Sequence, residues 1–105
     1  MNEALQVTFR HMTTSPQIRE LCEQKLQKLR QQFPDATSCH VILDCPGATH
    51  HRKGIEFRAQ LELTVGRTHT RIAAEALHED AYAAVRQVFD NARRQIETRA
   101  ERQTG

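Results

Sequence analysis

The stretch "IEFRAQLELTV", residues 55–65, decides the fold of this chain. Ile55, Phe57, Ala59, Leu61, Leu63 and Val65 point one way along an extended backbone, and Glu56, Arg58, Gln60, Glu62 and Thr64 point the other. That period of two specifies a strand with one dry face and one wet face; a helix would scatter the same residues around its circumference. A sheet made of such strands needs a covering layer on one side only.

Reading outward, Gly66 and Arg67 suit a tight hairpin into "THTRIAAEA" (68–76), where Ile72, Ala74 and Ala76 face the core. On the other side lies a polar loop, "PGATHHRKG" (46–54). Before it, "SCHVILDC" (38–45) reads as a short strand with Cys39, Val41 and Leu43 on one face. In "ALQVTFRH" (4–11), Leu5, Val7 and Phe9 alternate with Gln6, Thr8 and Arg10, which predicts a first strand.

Two segments carry the helical period instead. Ser15 can cap a helix that Pro16 opens; Ile18, Leu21, Cys22, Leu26, Leu29 and Phe33 then form one stripe, and Pro34 ends it. Near the C-terminus, Ala81, Tyr82, Val85, Val88, Phe89, Ala92 and Ile96 make one apolar arc. The expectation is an α+β fold in the order β-α-β-β-β-α. Two helices cover one face of a four-stranded sheet, and the other face is wet.

The chain has 105 residues, which predicts a single domain over 1–105. Lys plus Arg is 15 against 13 Asp plus Glu, so the distribution of charge says more than the sum. No secretory leader or apolar membrane span is visible, and three cysteines without a CxxC pair suggest a reducing cytoplasm. There is no tryptophan and one tyrosine, so base-stacking aromatics cannot dominate a binding surface.

Enzyme motifs are missing: no Gly-rich phosphate loop, GxSxG elbow or HExxH helix is present. His78, Glu79 and Asp80 are consecutive at a helix start, where acidic residues face the positive helix end without any catalytic role. Cys45, His50 and His51 share a loop region, but their spacing is not that of a zinc site, and the expectation is no metal and no cofactor. Cys22 and Cys39 suit core positions, leaving Cys45 as the thiol expected to be exposed.

The basic residues are the better lead. Lys25 and Lys28 lie at one edge of the first apolar stripe, Arg86 and Arg93 share an edge of the second, and Arg94 projects further round. Arg52 and Lys53 lie in the polar loop, and Arg10, Arg58 and Arg71 on the wet sheet face. Pairs such as Asp90–Arg94 and Arg93–Glu97 are equally those of an ordinary solvated helix surface. From pattern alone, nucleic-acid binding and a protein-interaction module both stay open.

The segment "HEDAYAAVRQVFDNARRQIE" (78–97) closely resembles the last helix of the ribosome hibernation-promoting factor and ribosome-associated inhibitor family. There a D-x-Y-A-A-I start leads to a late R-Q-L; here these are Asp80, Tyr82, Ala83, Ala84 and Val85, then Arg94, Gln95 and Ile96. "IRELCEQKLQKLRQQF" (18–33) resembles the family's first helix at Lys25, Leu26, Lys28, Leu29 and Phe33, and "HHRKGIEFRAQLELTVG" (50–66) resembles a sub-branch with a His-rich loop.

The resemblance implies a stress- or stationary-phase translation inhibitor. It would sit on the small ribosomal subunit, in the channel of messenger and transfer RNA, and act by occupancy without catalysis or cofactor. It implies ribosomal RNA and proteins as partners, no membrane, no small-molecule substrate, and a monomer off the ribosome. Lys25, Lys28 and Arg94 carry over as ribosome-binding residues; Arg86 and Arg93 fit the same surface, and Arg52, Lys53 and Arg58 join on charge. Tyr82 matches the family strongly, and its place on the apolar arc makes it a core residue first. The second domain of long members is not seen, so the chain is not expected to pair ribosomes by itself. The alternative remains a protein-interaction module acting on a non-ribosomal partner.

Overall fold

The computed structural model describes residues 5–46 and 56–104, with side chains up to Arg99. Its elements are β1 (Leu5–Arg10), α1 (Pro16–Gln32), β2 (Ala36–Asp44), β3 (Phe57–Val65), β4 (Thr70–His78) and α2 (Ala81–Thr104). The strands form one sheet in the order β1-β2-β3-β4. β1 runs parallel to β2 because α1 carries the chain back between them, while β2–β3 and β3–β4 are antiparallel. The expected β-α-β-β-β-α order and α+β class are those observed.

Register turns the period of two into rows across the sheet. On the covered face Leu5, Cys39, Leu63 and Ile72 line up, then Val7, Val41, Leu61 and Ala74, then Phe9, Leu43, Ala59 and Ala76. Ile18, Cys22, Leu26 and Leu29 of α1 and Ala84, Val85, Val88, Phe89, Ala92 and Ile96 of α2 close over these rows as one core. Every residue between those rows faces the open side, where polar and charged side chains predominate.

Three expectations need correction. Cys45 is buried, at 4% exposure, because it continues the inward series Cys39, Val41, Leu43 by one further step beyond the strand end. Its N–H donates to the carbonyl of Arg10 at 3.1 Å, which holds that step in register with β1. The β3–β4 loop is not a two-residue turn on Gly66 and Arg67: Val65 pairs with Thr70, leaving Gly66–His69 outside the ladder. Gly66 at φ +81° and His69 at φ 54° reverse the chain, and the Gly66 N–H is held by the Asp35 carbonyl at 3.1 Å. A shift of two residues keeps every side chain on its face, so the hydrophobic pattern could not choose between these registers. Tyr82, at 38% exposure, is not a core residue. At about 100° per residue it falls beyond Phe89 on one flank of α2, whereas Ala84 on the opposite flank is buried.

Burial pushes the Cys22 thiol up to about 12 and the Cys39 thiol up to about 12, from an ordinary value of 9.0. The unfolded chain therefore releases these protons first, and their contribution to stability is complete below pH 9 and declines as pH climbs toward 12. All three cysteines are free and buried. A thiol reagent such as DTNB should find them protected in the native protein, Cys45 included, and reactive once denaturant unfolds it. Replacing Leu61, at 1% exposure, with alanine should cost about 2–5 kcal/mol in a urea titration.

Candidate functional site

Each helix is set by its first turn. Ser15 Oγ accepts from the Ile18 N–H at 3.2 Å and Pro16 occupies the first helical position, so α1 starts where the sequence predicts. Asp80 caps α2: its Oδ1 accepts from the Tyr82 N–H at 2.9 Å and its carbonyl from the Ala84 N–H at 2.9 Å. His78 Nδ1 accepts from the Asp80 N–H at 2.9 Å. The consecutive His78, Glu79 and Asp80 are thus the entry to a helix, with two of the three spent on backbone hydrogen bonds.

The two helices lie side by side over the sheet, and the furrow between them holds a cleft of about 220 Å³. α1 contributes Lys25, Lys28, Leu29 and Gln32; α2 contributes Arg86, Phe89, Asp90 and Arg93. Both sets have the spacing i, i+3, i+4, i+7, which places them along one flank of each helix. Leu29 and Phe89, each 4% exposed, form the apolar floor. Lys25 is half-buried and Lys28 exposed, so the stem of Lys25 covers the floor while its ammonium reaches the rim.

Four of the expected basic residues therefore converge from two helices far apart in sequence. Arg94 stands outside the furrow on the exposed side of α2, with Nη2 3.0 Å from Asp90 Oδ2. Arg58 lies on the open sheet face, its Nε 3.2 Å from Glu75 Oε2. Arg52 and Lys53 lie outside the described residues, as do His50 and His51. Among the described residues no three His, Cys, Asp or Glu side chains group as metal ligands, and no helix is long and apolar enough to cross a membrane.

The furrow's charges are not equivalent. Arg93 donates through Nη2 to Asp90 Oδ1 and through Nη1 to Glu97 Oε2, the latter at 2.9 Å. The hydrogen bond from Arg93, with the charges of Arg94, Arg93 and Lys25, holds the Asp90 carboxyl below its ordinary range. The influence of Lys25 comes from across the furrow, on α1. Lys25, Lys28 and Arg86 make no ion pair among the described residues. Sequence reading singled out the cations and missed the central place of Asp90 and the contribution of Gln32. Their signal was the shared seven-residue span on each helix.

Two helices side by side on one face of a mixed four-stranded sheet, with Lys25, Lys28, Arg86 and Arg93 along the furrow between them, define a small domain of the α+β class in the order β-α-β-β-β-α. Within that class the chain belongs to the family described as Sigma 54 modulation protein / S30EA ribosomal protein, whose model matches residues 5–104. This is the family that the helix motifs resemble. A ribosomal subunit interface protein from Coxiella burnetii has a similar structure, with TM-score 0.75 and 21% identity over 92% of this chain and 97% of that one. The N-terminal domain of Protein Y from Thermus thermophilus is similar too, with TM-score 0.72 and 22% identity over 93% and 98%. No match is found among curated proteins.

The two aromatic side chains of α2 should separate cleanly. Phe89→Ala removes the floor of the furrow and should cost about 3–5 kcal/mol. Tyr82→Ala, at a flank in contact with solvent, should cost clearly less in the same urea titrations.

Proposed function

We propose that this chain binds the small ribosomal subunit through the furrow between α1 and α2. It inhibits translation by occupying the channel of messenger and transfer RNA, without catalysis or cofactor. The observation that carries this reading is the convergence of Lys25, Lys28, Arg86 and Arg93 on one cleft, in a chain whose net charge is only +2. Ribosomal RNA presents closely spaced phosphates, which Lys meets as point charges and Arg as a planar fork. A furrow whose aromatic, Phe89, is buried in an apolar floor favours recognition of backbone and shape over bases.

Family membership supports ribosome association, and the names of the two similar structures point the same way. The cytoplasm is the matching compartment, with stress or stationary phase as the matching occasion. Arg94 extends the surface along α2; Arg52 and Lys53 are assigned to ribosome contact by charge alone, and so is Arg58, which stands on the open sheet face away from the furrow. The protein acts as a monomer off the ribosome.

Co-sedimentation with small ribosomal subunits over a salt series tests this reading. With roughly four phosphates contacted, raising salt from about 50 to 200 mM should weaken binding on the order of a hundredfold. Reversing Lys25, Lys28 and Arg86 to glutamate should abolish sedimentation while leaving the circular dichroism spectrum and cooperative unfolding in place. Binding that resists both salt and charge reversal would point instead to a protein partner met through apolar contacts.

A further inference from the structure

Asp90 sits where an anionic ligand of the furrow would sit. Its Oδ1 holds Arg93 and its Oδ2 holds Arg94 at 3.0 Å. Arg93 is in turn held at both Nη atoms, by Asp90 and by Glu97. A guanidinium engages a phosphate best with two parallel N–H donors. Two of the five N–H donors of Arg93 are already engaged and its charge is shared between two carboxylates, so a phosphate must compete with Asp90 and Glu97 for this guanidinium. The three remaining cations of the furrow, Lys25, Lys28 and Arg86, carry no such partner among the described residues.

We infer that Asp90 is a specificity-determining residue of the furrow, an internal counter-anion that only a phosphate run aligned with both helices displaces. This inference rests on the ribosome-binding reading above. A loose single strand meets Lys25, Lys28 and Arg86 and leaves the Asp90 pairs standing. A folded RNA whose backbone follows the furrow presents a phosphate at Arg93 at the same time, and the pairs exchange. Asp90 is exposed enough, at 38% of its side chain, for that exchange to occur without opening the core. The carboxylate thereby lowers affinity for indiscriminate polyanions more than for the correct surface.

The experiment compares the full chain with Asp90→Asn and with Glu62→Gln. The second variant makes the same charge change on the open sheet face, away from the furrow. Each protein is titrated into a labelled uridine homopolymer by fluorescence anisotropy, and into small ribosomal subunits by co-sedimentation. Asp90→Asn should bind the homopolymer roughly fivefold more tightly, the scale of one exposed ion pair, with a smaller gain on subunits. Its salt slope on the homopolymer should steepen by on the order of 0.7 for each phosphate newly engaged. Equal gains for Asp90→Asn and Glu62→Gln would overturn the inference by reducing it to net charge. Equal gains on homopolymer and subunits would overturn it as a matter of specificity. Weaker binding of Asp90→Asn to both RNAs would overturn it by making Asp90 a support for the guanidiniums. Failure of the unaltered protein to bind subunits at any salt would sink the ribosomal reading instead, while the homopolymer comparison would still decide the counter-anion role.

Discussion

One constraint organises this molecule: its sheet has a single apolar face, and two helices must share it. Leu61, Leu63, Val41 and Leu43 are almost wholly removed from water, and each such side chain is worth about 1.5–3 kcal/mol when buried. α1 packs on β1 and β2 and α2 on β3 and β4, so neither helix alone covers the apolar face. Two helices on one sheet therefore lie side by side, and a furrow between their facing flanks follows. What lines that furrow is decided by residues just outside each apolar stripe. The position of the cationic cleft is thus a by-product of core packing, and its charge is a separate choice made at the flanks.

That separation explains how much could be read in advance. The alternation in residues 57–65 and the two helical stripes announce element type and facing, because burial acts on each residue's direction. Strand register does not announce itself in the same way. Shifting β4 by two residues against β3 leaves Ile72, Ala74 and Ala76 inward, and only the backbone of Gly66 and His69 distinguishes the outcomes. Cys45 was legible in principle, since 39, 41, 43 and 45 form one series, but its neighbour Pro46 suggests that the strand has ended. Tyr82 misled because an aromatic at the edge of an arc looks apolar. Its flank is shared with Arg86 and Arg93, which turn toward α1.

The furrow was half legible for a related reason. Cations at an apolar edge can be located on each helix separately, so Lys25, Lys28, Arg86 and Arg93 could be found before the helices were placed. Which of them keep their charge available depends on partners three and four residues away, and on the other helix. Arg93 and Arg94 are engaged by Asp90, whose carboxyl also responds to Lys25 from α1. Exposed pairs of this kind add little to stability. Their consequence lies in which donors a ligand of the furrow finds ready, and of its four cations the ready ones are Lys25, Lys28 and Arg86.

α2 shows how one helix meets three demands by angle. Its apolar arc faces the sheet. On one flank Asn91 Nδ2 donates to the Glu75 carbonyl at 3.1 Å and Gln95 Nε2 to the Ala73 carbonyl at 2.8 Å. Those carbonyls belong to β4, an edge strand of the sheet, so the amides satisfy groups that would otherwise invite another strand. Ala84 lies on the same flank and is fully buried, and its small side chain lets the helix approach that edge. The opposite flank carries Arg86 and Arg93 toward α1. Because the three flanks belong to one rigid helix, the amides over β4 fix the rotation that aims the arginines into the furrow. An asparagine and a glutamine with no charge of their own thereby help to decide where the positive surface points.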